Sequence, residues 1–555
     1  MRLLANPEKR MFWLDRIARE VVDREERLNR GFSVLTVESG IGASGFPHIG
    51  SAGDSLRAYG VKLALEDLGR RSRLVAFSDD RDGLRKVPIG VPPGYAKYLG
   101  MPVTDIPDPW GCHGSYGEHM SSMLIDALDK LGVEYEFYSG TQAYRSGLLD
   151  EYVDKILRNH DRVERIVREE VGTSKPEGWI PYWPVCEECG RIYTTRVVEL
   201  VPEERKVVYV CDQEFKGVSG CGHRGEAKYV RGTGKLPWKW GEFAVRWAAL
   251  GVVFEPHGKD IADSFRVNAR IAKEVLGYEP PLTIMYEMFL DATGEKISKS
   301  KGNVITPQDW LRYAPPESLR LLMFKRYKGT RAISLERAPE YVEDLERHLR
   351  LYWDLDRIPS ERDRVTVKRL VEYAYLLKGV PEPPKFTFRS LISVIELLPW
   401  RELPLEELFA TASEIIADYY DLDPEELKRD PTFESWFHRA LNYVKDIRSR
   451  IEVERPQIDP SCIEAIERFL ENIDESMSGE DIQAVAFETC RSTGLSPKKF
   501  FAAVYTLLVG APRGPRLGPL IRRLGVERAK SLIRKSINHY LGGSIEPRRE
   551  DKNPP

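Results

Sequence analysis

The feature that most constrains the fold is an alternation of short apolar segments with helical segments in the first part of the chain. Residues 33–38 (SVLTVE) are predicted to form a buried strand, which the glycine-rich loop SGIGASGFPHIG connects to the helical sequence SLRAYGVKLALEDLG. Further strands are predicted at 73–78 and 134–138, and a helix at about 147–169. Strands that alternate with helices form parallel sheets. The chain is therefore expected to contain an α/β domain.

The alternation is interrupted once and then ends. After Gly172 comes a segment that is rich in aromatic residues and prolines and holds four of the seven cysteines, and the alternation resumes near Gly251. From about residue 335 the sequence consists of long helical stretches such as APEYVEDLERHLRLYWDL. We therefore expect five parts, which are the first half of the sheet domain (1–170), an insertion (171–235), the second half of the sheet domain (236–334), an all-α domain (335–545) and a mobile tail (546–555).

The composition excludes several classes of protein. A hydrophobic content of 42% with 30% charged residues is typical of a globular protein and not of a disordered or membrane protein. No run approaches the roughly 18 apolar residues that a membrane-spanning helix needs. Acidic and basic residues interrupt the apolar stretch at the N-terminus, which argues against a signal peptide. A cytoplasmic protein with no membrane partner is predicted.

The balance of charge is uneven along the chain. The formal net charge is -3, so a nucleic-acid partner would have to bind to local basic surface. The segment 513–535 carries eight lysines and arginines and a single acidic residue. Candidates for RNA contacts in this segment are Arg513, Arg516, Arg522 and Arg523. A solvated basic helix face is an equally good interpretation.

The loop after the first predicted strand suits the binding of phosphate. Small residues let backbone N–H groups approach an anion, and the helix N-terminus adds partial positive charge. Here Gly40, Gly42 and Ser44 precede His48 and Gly50 at the start of the helix. His48 can donate a hydrogen bond to a phosphate oxygen, and Gly50 leaves room for a nucleotide. A tight turn with a structural histidine remains the alternative.

A second motif strengthens the nucleotide interpretation. The sequence GEKISKSKGNV places Lys296, Lys299 and Lys301 on a short loop with small hydroxyl residues. Such a loop can stabilise negative charge that develops on phosphorus and on leaving pyrophosphate. Alone it could be a solvated basic loop. Together with the histidine-bearing loop, about 250 residues earlier, it is far more specific.

Two groups of residues have the spacing of metal ligands. Cys186, Cys189, Cys211 and Cys221 could bind one structural zinc ion, the first two in a C-x-x-C-G turn; His223 is the rival to Cys221 as fourth ligand. A second group within twelve residues consists of Asp108, Cys112, His113 and His119. Its alternative is a polar loop without metal.

At this point the sequence resembles the class I aminoacyl-tRNA synthetases, whose signatures are HIGH and KMSKS. His48-Ile49-Gly50 matches the first signature, with Ser51 in place of its last histidine, and Lys296–Ser300 (KISKS) matches the second with Ile297 in place of methionine. The resemblance implies a Rossmann-like catalytic domain with a zinc-binding insertion and an all-α anticodon-binding domain. It implies catalytic roles for His48, Gly50, Lys296 and Lys299, and ATP contacts from Ser44, His48, Gly50, Ser51, Gly258, Ser298, Lys299 and Ser300.

The resemblance narrows to the class I lysyl-tRNA synthetases. It is carried by SGIGASGFPHIGS, SDDRDGLRKVP, DPWGCHGSYGEH, the cysteine segment, PLTIMYEMFLD and KISKSKGN, which together cover about residues 1–330. By matching, the lysine site would contain Gly40, Gly42, Trp238, Tyr286 and Asp260, and the family's zinc cluster is four cysteines. The family has a ligand-rich segment at DPWGCHGSYGEH as well.

Two positions depart from the family pattern. Many members have threonine at the position of Gly42, and histidine at the position of Ile261. His257 could occupy space near the second position. Carboxylates for the two ammonium groups of lysine are offered by Glu38, Asp80 and Asp260, without individual roles. Ordinary core packing is the alternative for Trp238 and Tyr286.

The expected reaction joins L-lysine to tRNA(Lys) at the expense of ATP with Mg²⁺, through a lysyl-adenylate, in a monomeric enzyme. Three rivals remain open at this point. They are a synthetase of the same class for another amino acid such as glutamate, a stand-alone nucleotidyltransferase, and a zinc-ribbon protein that binds nucleic acid without catalysis.

Overall fold

The strands of the protein form the frame of its fold. The computed structural model describes residues 11–291, 293–295, 305–450, 458–509, 512, 514 and 516–541. Within these residues the strands are β1 (Leu35–Ile41), β2 (Ser72–Ser78), β3 (Glu136–Ser139), β4 (Arg196–Val201), β5 (Lys206–Val210), β6 (Glu214–Phe215), β7 (Val218–Ser219), β8 (Arg224–Lys228), β9 (Val252–Gly258), β10 (Leu282–Tyr286), β11 (Phe289–Leu290) and β12 (Arg331–Ala332).

Five of these strands form one sheet in the order β10-β9-β1-β2-β3, and every neighbouring pair is parallel. The predicted α/β fold is therefore confirmed. The chain runs outward from β1 in one direction through β2 and β3, and in the other through β9 and β10. Ligands of such sheets bind beyond the carboxyl ends of the strands where the order reverses. That point lies between β1 and β9.

The helices account for most of the remaining chain. In the described residues they are α1 (Trp13–Leu28), α2 (Ile49–Asp67), α3 (Tyr116–Lys130), α4 (Gly140–Ser146), α5 (Asp150–Arg158), α6 (His160–Val171), α7 (Glu242–Leu250), α8 (Ala262–Ile271), α9 (Pro307–Tyr313), α10 (Pro316–Lys325), α11 (Ala338–Trp353), α12 (Glu361–Ala374), α13 (Phe388–Leu397), α14 (Leu405–Tyr420), α15 (Pro424–Arg429), α16 (Pro431–Asp446), α17 (Pro460–Glu471), α18 (Gly479–Thr493), α19 (Pro497–Val509), α20 (Leu517–Leu524) and α21 (Val526–Leu541). A π-helical turn, Ala272–Leu276, follows α8.

The described residues divide into two compact units. The first takes those within 11–311, 316–337 and 347–382, and the second those within 312–315, 338–346 and 383–541. The second unit contains helices and no strand among its described residues, as the sequence predicts for this part of the chain. Its core includes a cluster of aromatic rings, with Phe386 in edge contact with Phe433 and Trp436. No helix in the described part of either unit is long and apolar enough to cross a membrane.

Helix α2, which follows the glycine-rich loop, lies in the core of the first unit. It is buried along Ile49 and from Ala52 to Leu65, because it packs between the sheet and α1. Glycine makes this approach possible: a Cβ at Gly60 would lie 2.9 Å from side-chain carbons of both Leu14 and Phe324. The close packing fixes the N-terminus of α2 at the carboxyl end of β1.

The insertion folds around an antiparallel hairpin. β4 pairs with β5, and β8 adds to the other edge of β5, which gives a three-stranded sheet. The turn between β4 and β5 contains Arg205 in the left-handed region, at φ 50°. This small sheet supports the cysteines that flank it in sequence.

One helix prediction is wrong. The stretch 147–169 forms two helices, α5 and α6, which are separated at Asn159. The Asn159 side-chain amide donates a hydrogen bond to the Lys155 carbonyl at 2.8 Å. An asparagine that bonds back to the preceding turn competes with the helical backbone pattern and ends the helix there.

Candidate functional site

A cavity of about 300 Å³ lies beyond the carboxyl ends of β1, β9 and β10, where the order of strands reverses. We call it the switch-point cavity. Its lining residues are Gly40, Gly42, Ser44, His48, Ile49, Gly50, Ser51, Asp54, Asp79, Trp238, Phe243, Glu255, Pro256, Gly258, Asp260, Ile261, Tyr286, Glu287, Met288 and Phe289. All the predicted ATP- and lysine-contacting residues that the structure describes thus line this cavity. Lys296, Ser298, Lys299 and Ser300 lie outside the described residues.

His48 caps the N-terminus of α2 with its own ring. Its backbone is extended (φ −113°, ψ 167°), and its Nδ1 accepts a hydrogen bond from the Ser51 N–H at 3.2 Å. Because Nδ1 is the acceptor, the ring proton of neutral His48 is on Nε2. Nε2 is therefore a hydrogen-bond donor beside the cavity, at the positive end of a 19-residue helix. This is a site suited to an anion such as phosphate.

Gly50 has a role that the sequence did not reveal. A Cβ at this position would lie 2.8 Å from both Cε1 and Nδ1 of the His48 ring. The space that the missing side chain leaves is thus taken by His48 and supports its capping conformation. Gly42 differs, since no heavy atom lies within 4 Å of a Cβ built there.

We expect Gly50→Ala to displace the His48 ring and to lower the rate of any reaction that needs its Nε2 donor by about 10- to 100-fold, since a misplacement of about 1 Å can cost that much. Rates under saturating substrates measure this effect. Gly94→Ala is the control, because its methyl group meets open space and Gly94 does not line the cavity. An equal loss in both variants would contradict the steric explanation.

Asp54 joins α2 to β10 beneath the cavity. Its Oδ1 accepts a hydrogen bond from Tyr286 Oη at 2.6 Å, and its Oδ2 accepts one from Ser39 Oγ at 3.0 Å. The Arg57 guanidinium lies 4.3 Å from the centre of the Tyr286 ring. Burial raises the pKa of Asp54 from 3.8 to about 6 in spite of these hydrogen bonds. The folded protein therefore binds a proton at Asp54 more tightly than the unfolded chain does.

This raised pKa has a defined effect on stability. Folding becomes less favourable as the pH rises from about 4 to 6, because the buried carboxyl must ionise. We expect Asp54→Asn to remove this cost and to be more stable than the wild type above pH 6, by up to about 3 kcal/mol, and equally stable near pH 4. Urea unfolding at pH 4 and pH 8 measures the difference. The exposed Asp129→Asn is the control, and a gain that does not depend on pH would contradict this account.

One buried arginine binds three carboxylates, which come from β1, from β9 and from the loop after β2. Arg246 Nε donates to Glu38 Oε1 at 2.8 Å, Nη1 to Asp79 Oδ1 at 2.9 Å and Nη2 to Glu255 Oε1 at 3.4 Å. We call these four residues the Arg246 cluster. Arg246 is fully buried, with its guanidinium 4.4 Å from the centre of the Phe77 ring. Burial raises the pKa values of Glu38 and Glu255, and raises that of Asp79 to about 7.

The aromatic walls of the cavity already contact cations of the protein. The guanidinium of Arg85 lies 4.9 Å from the centre of the Trp238 ring, and that of Arg57 lies 4.3 Å from the centre of the Tyr286 ring. Such contacts show that these rings present faces that suit positive charge. Ile261 lines the cavity, whereas His257 is buried against Phe265, with ring centres 4.2 Å apart, and is not a lining residue.

The four cysteines of the insertion converge. Their Sγ atoms all lie within 4.8 Å of one another, and the pairs Cys186–Cys221 and Cys189–Cys211 are each 3.6 Å apart. Tetrahedral zinc with Zn–S bonds of about 2.3 Å needs sulfur atoms about 3.8 Å apart, so the donors fit this metal. The Nε2 atom of His223 instead lies at 2.7 Å from Glu187 Oε1. The geometry supports Cys221 as the fourth ligand.

Asp108, Cys112, His113 and His119 converge in the same way, with one donor atom from each within 4.8 Å of the others. Asp108 organises the loop, because its carboxylate accepts backbone N–H groups of Trp110, Cys112 and His113. Cys112 Sγ lies 3.2 Å from His113 Nδ1 and 3.3 Å from His119 Nδ1. The donors again fit one tetrahedral zinc ion, for which sulfur–nitrogen separations of about 3.5 Å are expected.

Known proteins resemble the chain over nearly its whole length. The family model described as tRNA synthetases class I (K) matches residues 11–374. A lysine–tRNA ligase of Cenarchaeum symbiosum is 42% identical over 528 residues, which are 94% of this chain and 98% of that protein. A lysine–tRNA ligase of Rickettsia bellii (strain OSU 85-389) is 30% identical and aligns with 96% of this chain and 99% of that protein. A lysine–tRNA ligase of Halobacterium salinarum is 32% identical and aligns with 95% of this chain and 97% of that protein.

The chain belongs to the class I lysyl-tRNA synthetase family. The resemblance inferred from the sequence motifs is confirmed. The switch-point cavity lies where ligands of such sheets bind, at the reversal of strand order, and it contains carboxylates that sequence reasoning missed.

Four carboxylates of the cavity were not singled out from the sequence. They are Asp54, Asp79, Glu255 and Glu287, whereas two of the three carboxylates proposed from motifs do not line the cavity. Glu38 is fully buried against Arg246, and Asp80 Oδ1 accepts the Thr141 N–H at 2.7 Å. Asp260 is a lining residue, as expected. The run DDRDG was a usable signal for Asp79, but it could not show which of its acids faces the cavity.

The arginines of the second unit that are candidates for RNA contacts form ion pairs, as far as the structure describes them. Arg516 pairs with Glu480 at 2.7 Å, Arg522 with Glu475 at 2.9 Å and Arg523 with Asp418 at 2.8 Å. Arg513 lies outside the described residues. The side chains of the three arginines keep exposures of 64%, 46% and 31%, so they remain accessible from solvent.

Proposed function

We propose that the chain attaches L-lysine to tRNA(Lys) in two steps, with ATP and Mg²⁺, as a cytoplasmic enzyme of translation. The observation that carries this is the cavity at the strand-order reversal, which combines a phosphate-binding helix terminus with aromatic and carboxylate walls. The relatives described as lysine–tRNA ligases, which align over nearly the full chain, support the amino acid and the tRNA.

In the first step a carboxylate oxygen of lysine attacks the α-phosphorus of ATP, and the bond to pyrophosphate breaks. Negative charge grows on the phosphate oxygens in the transition state. His48 Nε2–H and the N-terminus of α2 stabilise this charge, while Mg²⁺ neutralises the phosphates. By family resemblance Lys296 and Lys299 assist, with ATP contacts from Ser298 and Ser300. Gly50 acts by keeping the His48 ring in place.

In the second step a hydroxyl of the terminal ribose of tRNA attacks the carbonyl carbon of the lysyl-adenylate. The ester forms, AMP leaves, and the hydroxyl proton is lost to solvent or to the leaving phosphate. No covalent intermediate with the enzyme is involved. Positioning of the two reactants and stabilisation of charge account for the rate.

The lysine site is assigned to Gly40, Gly42, Trp238, Tyr286 and Asp260. Methylene groups of lysine can pack on the two rings, and an ammonium gains from their electron-rich faces. The carboxylates of the cavity supply the opposite charge. A glutamate substrate, the nearest rival, would bring a second carboxylate into this acidic surface and would be repelled.

Zinc is proposed for both groups of ligands. The four cysteines would hold a structural ion, since four thiolates leave no open position for water. The residues Asp108, Cys112, His113 and His119 would hold a second. In both cases the metal would fix the fold of a loop, so that no step of the reaction depends on it.

The proposed division of labour follows the predicted parts of the chain. The insertion (171–235) would guide the acceptor end of tRNA to the cavity between the two halves of the catalytic domain (1–170 and 236–334). The helical domain (335–545) would bind the anticodon loop, whose bases are read by stacking and edge hydrogen bonds. Arg513, Arg516, Arg522 and Arg523 are proposed backbone contacts. A monomer is the proposed state.

The test is ATP–pyrophosphate exchange with each amino acid, followed by charging of total tRNA with labelled lysine. Exchange with lysine and accumulation of lysyl-tRNA are expected. Exchange with glutamate and none with lysine would overturn the assignment in favour of the rival synthetase. Adenylate formation without charging of any tRNA would favour a stand-alone nucleotidyltransferase, and RNA binding without ATP turnover would favour a binding protein.

A further inference from the structure

The Arg246 cluster lies directly behind the wall of the switch-point cavity. Arg246 itself does not line the cavity, but a Cβ added to the lining residue Gly40 would lie 3.9 Å from Arg246 Nη2. Two of its three carboxylate partners, Asp79 and Glu255, are lining residues. The cluster therefore connects the interior of the sheet with the cavity surface.

The two lining carboxylates of the cluster differ in what they can offer to a ligand. Glu255 uses both oxygens within the protein, since Oε1 faces Arg246 and Oε2 accepts the Trp247 Nε1–H at 2.5 Å. Asp79 uses only Oδ1, which is bound to Arg246. No residue in the described part of the chain donates to Asp79 Oδ2, and the side chain is 11% exposed at the cavity wall. Asp79 Oδ2 is the acceptor that remains.

The cluster also carries an excess of acidic groups. Three carboxyl groups surround the single guanidinium of Arg246. The next cations are Lys235, which is bound to Asp82 at 2.6 Å and lies 3.8 Å from Glu242, and Arg85, which pairs with Asp82 at 3.3 Å. Three cations thus face five carboxyl groups. An added cation at the cavity wall would relieve this imbalance, whereas an anion would increase it.

We propose that Asp79 binds an ammonium group of the amino-acid substrate through Oδ2, and that Arg246 is the positioning residue that holds Asp79 in place for this contact. The inference rests on the proposed function and deepens it, because it names the carboxylate that contacts positive charge of the substrate. Arg246 acts by orienting the carboxylate from behind, with Glu38 and Glu255 holding the guanidinium in turn.

The first test measures the KM for lysine in ATP–pyrophosphate exchange. Asp79→Asn keeps the shape and is expected to raise the KM for lysine by 10- to 100-fold, as for a lost hydrogen bond between charged groups, and to leave the KM for ATP unchanged. Glu136→Gln removes an exposed carboxyl at the other end of the same sheet and serves as the control. An unchanged KM for lysine in Asp79→Asn, or a rise only in Asp260→Asn, would overturn the proposal.

The second test separates positioning from simple structural support. The charged groups near Asp79 are Arg246, Lys235, Arg85, Asp82 and Glu242. Burial raises the pKa of Asp79 to about 7. Only ionised Asp79 attracts an ammonium group, so the KM for lysine in the wild type should be about tenfold higher at pH 6 than at pH 8. Asp54 titrates in the same range, and the Asp79→Asn profile, expected to be nearly flat, shows what remains without Asp79.

Arg246→Lys tests the positioning residue itself. One ammonium cannot reproduce a guanidinium that bonds to three carboxylates. We expect the KM for lysine to rise at least tenfold, with the rate at saturating lysine reduced only a few-fold and the same melting profile by circular dichroism within a few degrees. A loss of rate without a change in KM would overturn the positioning role.

Calorimetric binding of lysine to the wild type in the absence of ATP is an independent control. A wild type that neither binds lysine nor supports pyrophosphate exchange with it would contradict the proposed function as well.

Discussion

Replacement of His48 by alanine is expected to slow adenylate formation by about 100- to 1,000-fold, the cost of removing one preorganised donor from a developing negative charge. The Ser51 N–H donates to Nδ1 of the ring, so the proton of neutral His48 is on Nε2, from which it can donate to phosphate. Because the donor acts on the transition state, the KM values for lysine and ATP should change by less than the rate. Pyrophosphate exchange at saturating substrates measures the rate.

A matched control for His48→Ala is available in the same unit. His160 on α6 hydrogen-bonds through Nδ1 to the Leu157 carbonyl oxygen and lies outside the cavity lining. His160→Ala should leave exchange within about twofold of the wild type. A His48→Ala variant that exchanges normally would mean that the helix N-terminus and the lysines of the KISKS sequence suffice without the histidine.

Replacement of Cys221 by serine is expected to remove one equivalent of bound zinc and to destabilise the insertion strongly. A structural zinc site contributes about 10–16 kcal/mol to the folding of small domains, and a site that loses one of four thiolates forfeits a large part of this. Elemental analysis of the purified protein gives the zinc content, and thermal unfolding gives the stability. Treatment of the wild type with a chelator would remove both proposed ions and should cause at least this loss of stability.

His223→Ala distinguishes the two candidates for the fourth ligand. In the structure His223 faces Glu187, and the Sγ atom of Cys221 lies among the other sulfur atoms. The variant should therefore keep its zinc and lose no more than about 1 kcal/mol of stability. If instead His223→Ala lost the metal and Cys221→Ser kept it, the ligand set would have to be revised.

What could be predicted from the sequence is mostly what depends on neighbouring residues. The loop from Gly40 to Gly50 and the four-cysteine spacing were identified because each motif is local or nearly so. The two-helix break at Asn159 was missed because the periodicity of apolar residues continues across it, and only the side-chain bond to Lys155 shows the interruption.

The carboxylates of the cavity show why the rest could not be predicted. Asp79 and Asp80 are adjacent in sequence, yet Asp79 bonds to Arg246 and lines the cavity while Asp80 bonds to the Thr141 N–H. Which of the two faces the cavity is set by the parallel register of β1 and β2 and by the arrival of α7, about 170 residues later. Asp54 gave no signal either, because an acidic residue in a helix is ordinarily exposed.

The order of strands in the sheet has a consequence for the protein as it emerges from the ribosome. β1 lies between β2 and β9, but β9 is made more than 100 residues after β3. At about 5–20 residues per second, one edge of the nascent β1–β2–β3 sheet stays unpaired for on the order of ten seconds. An open edge of apolar strands is prone to pair with other chains. Nascent chains that end within the insertion should therefore depend most on chaperones, and the dependence should fall once β9 has left the exit tunnel.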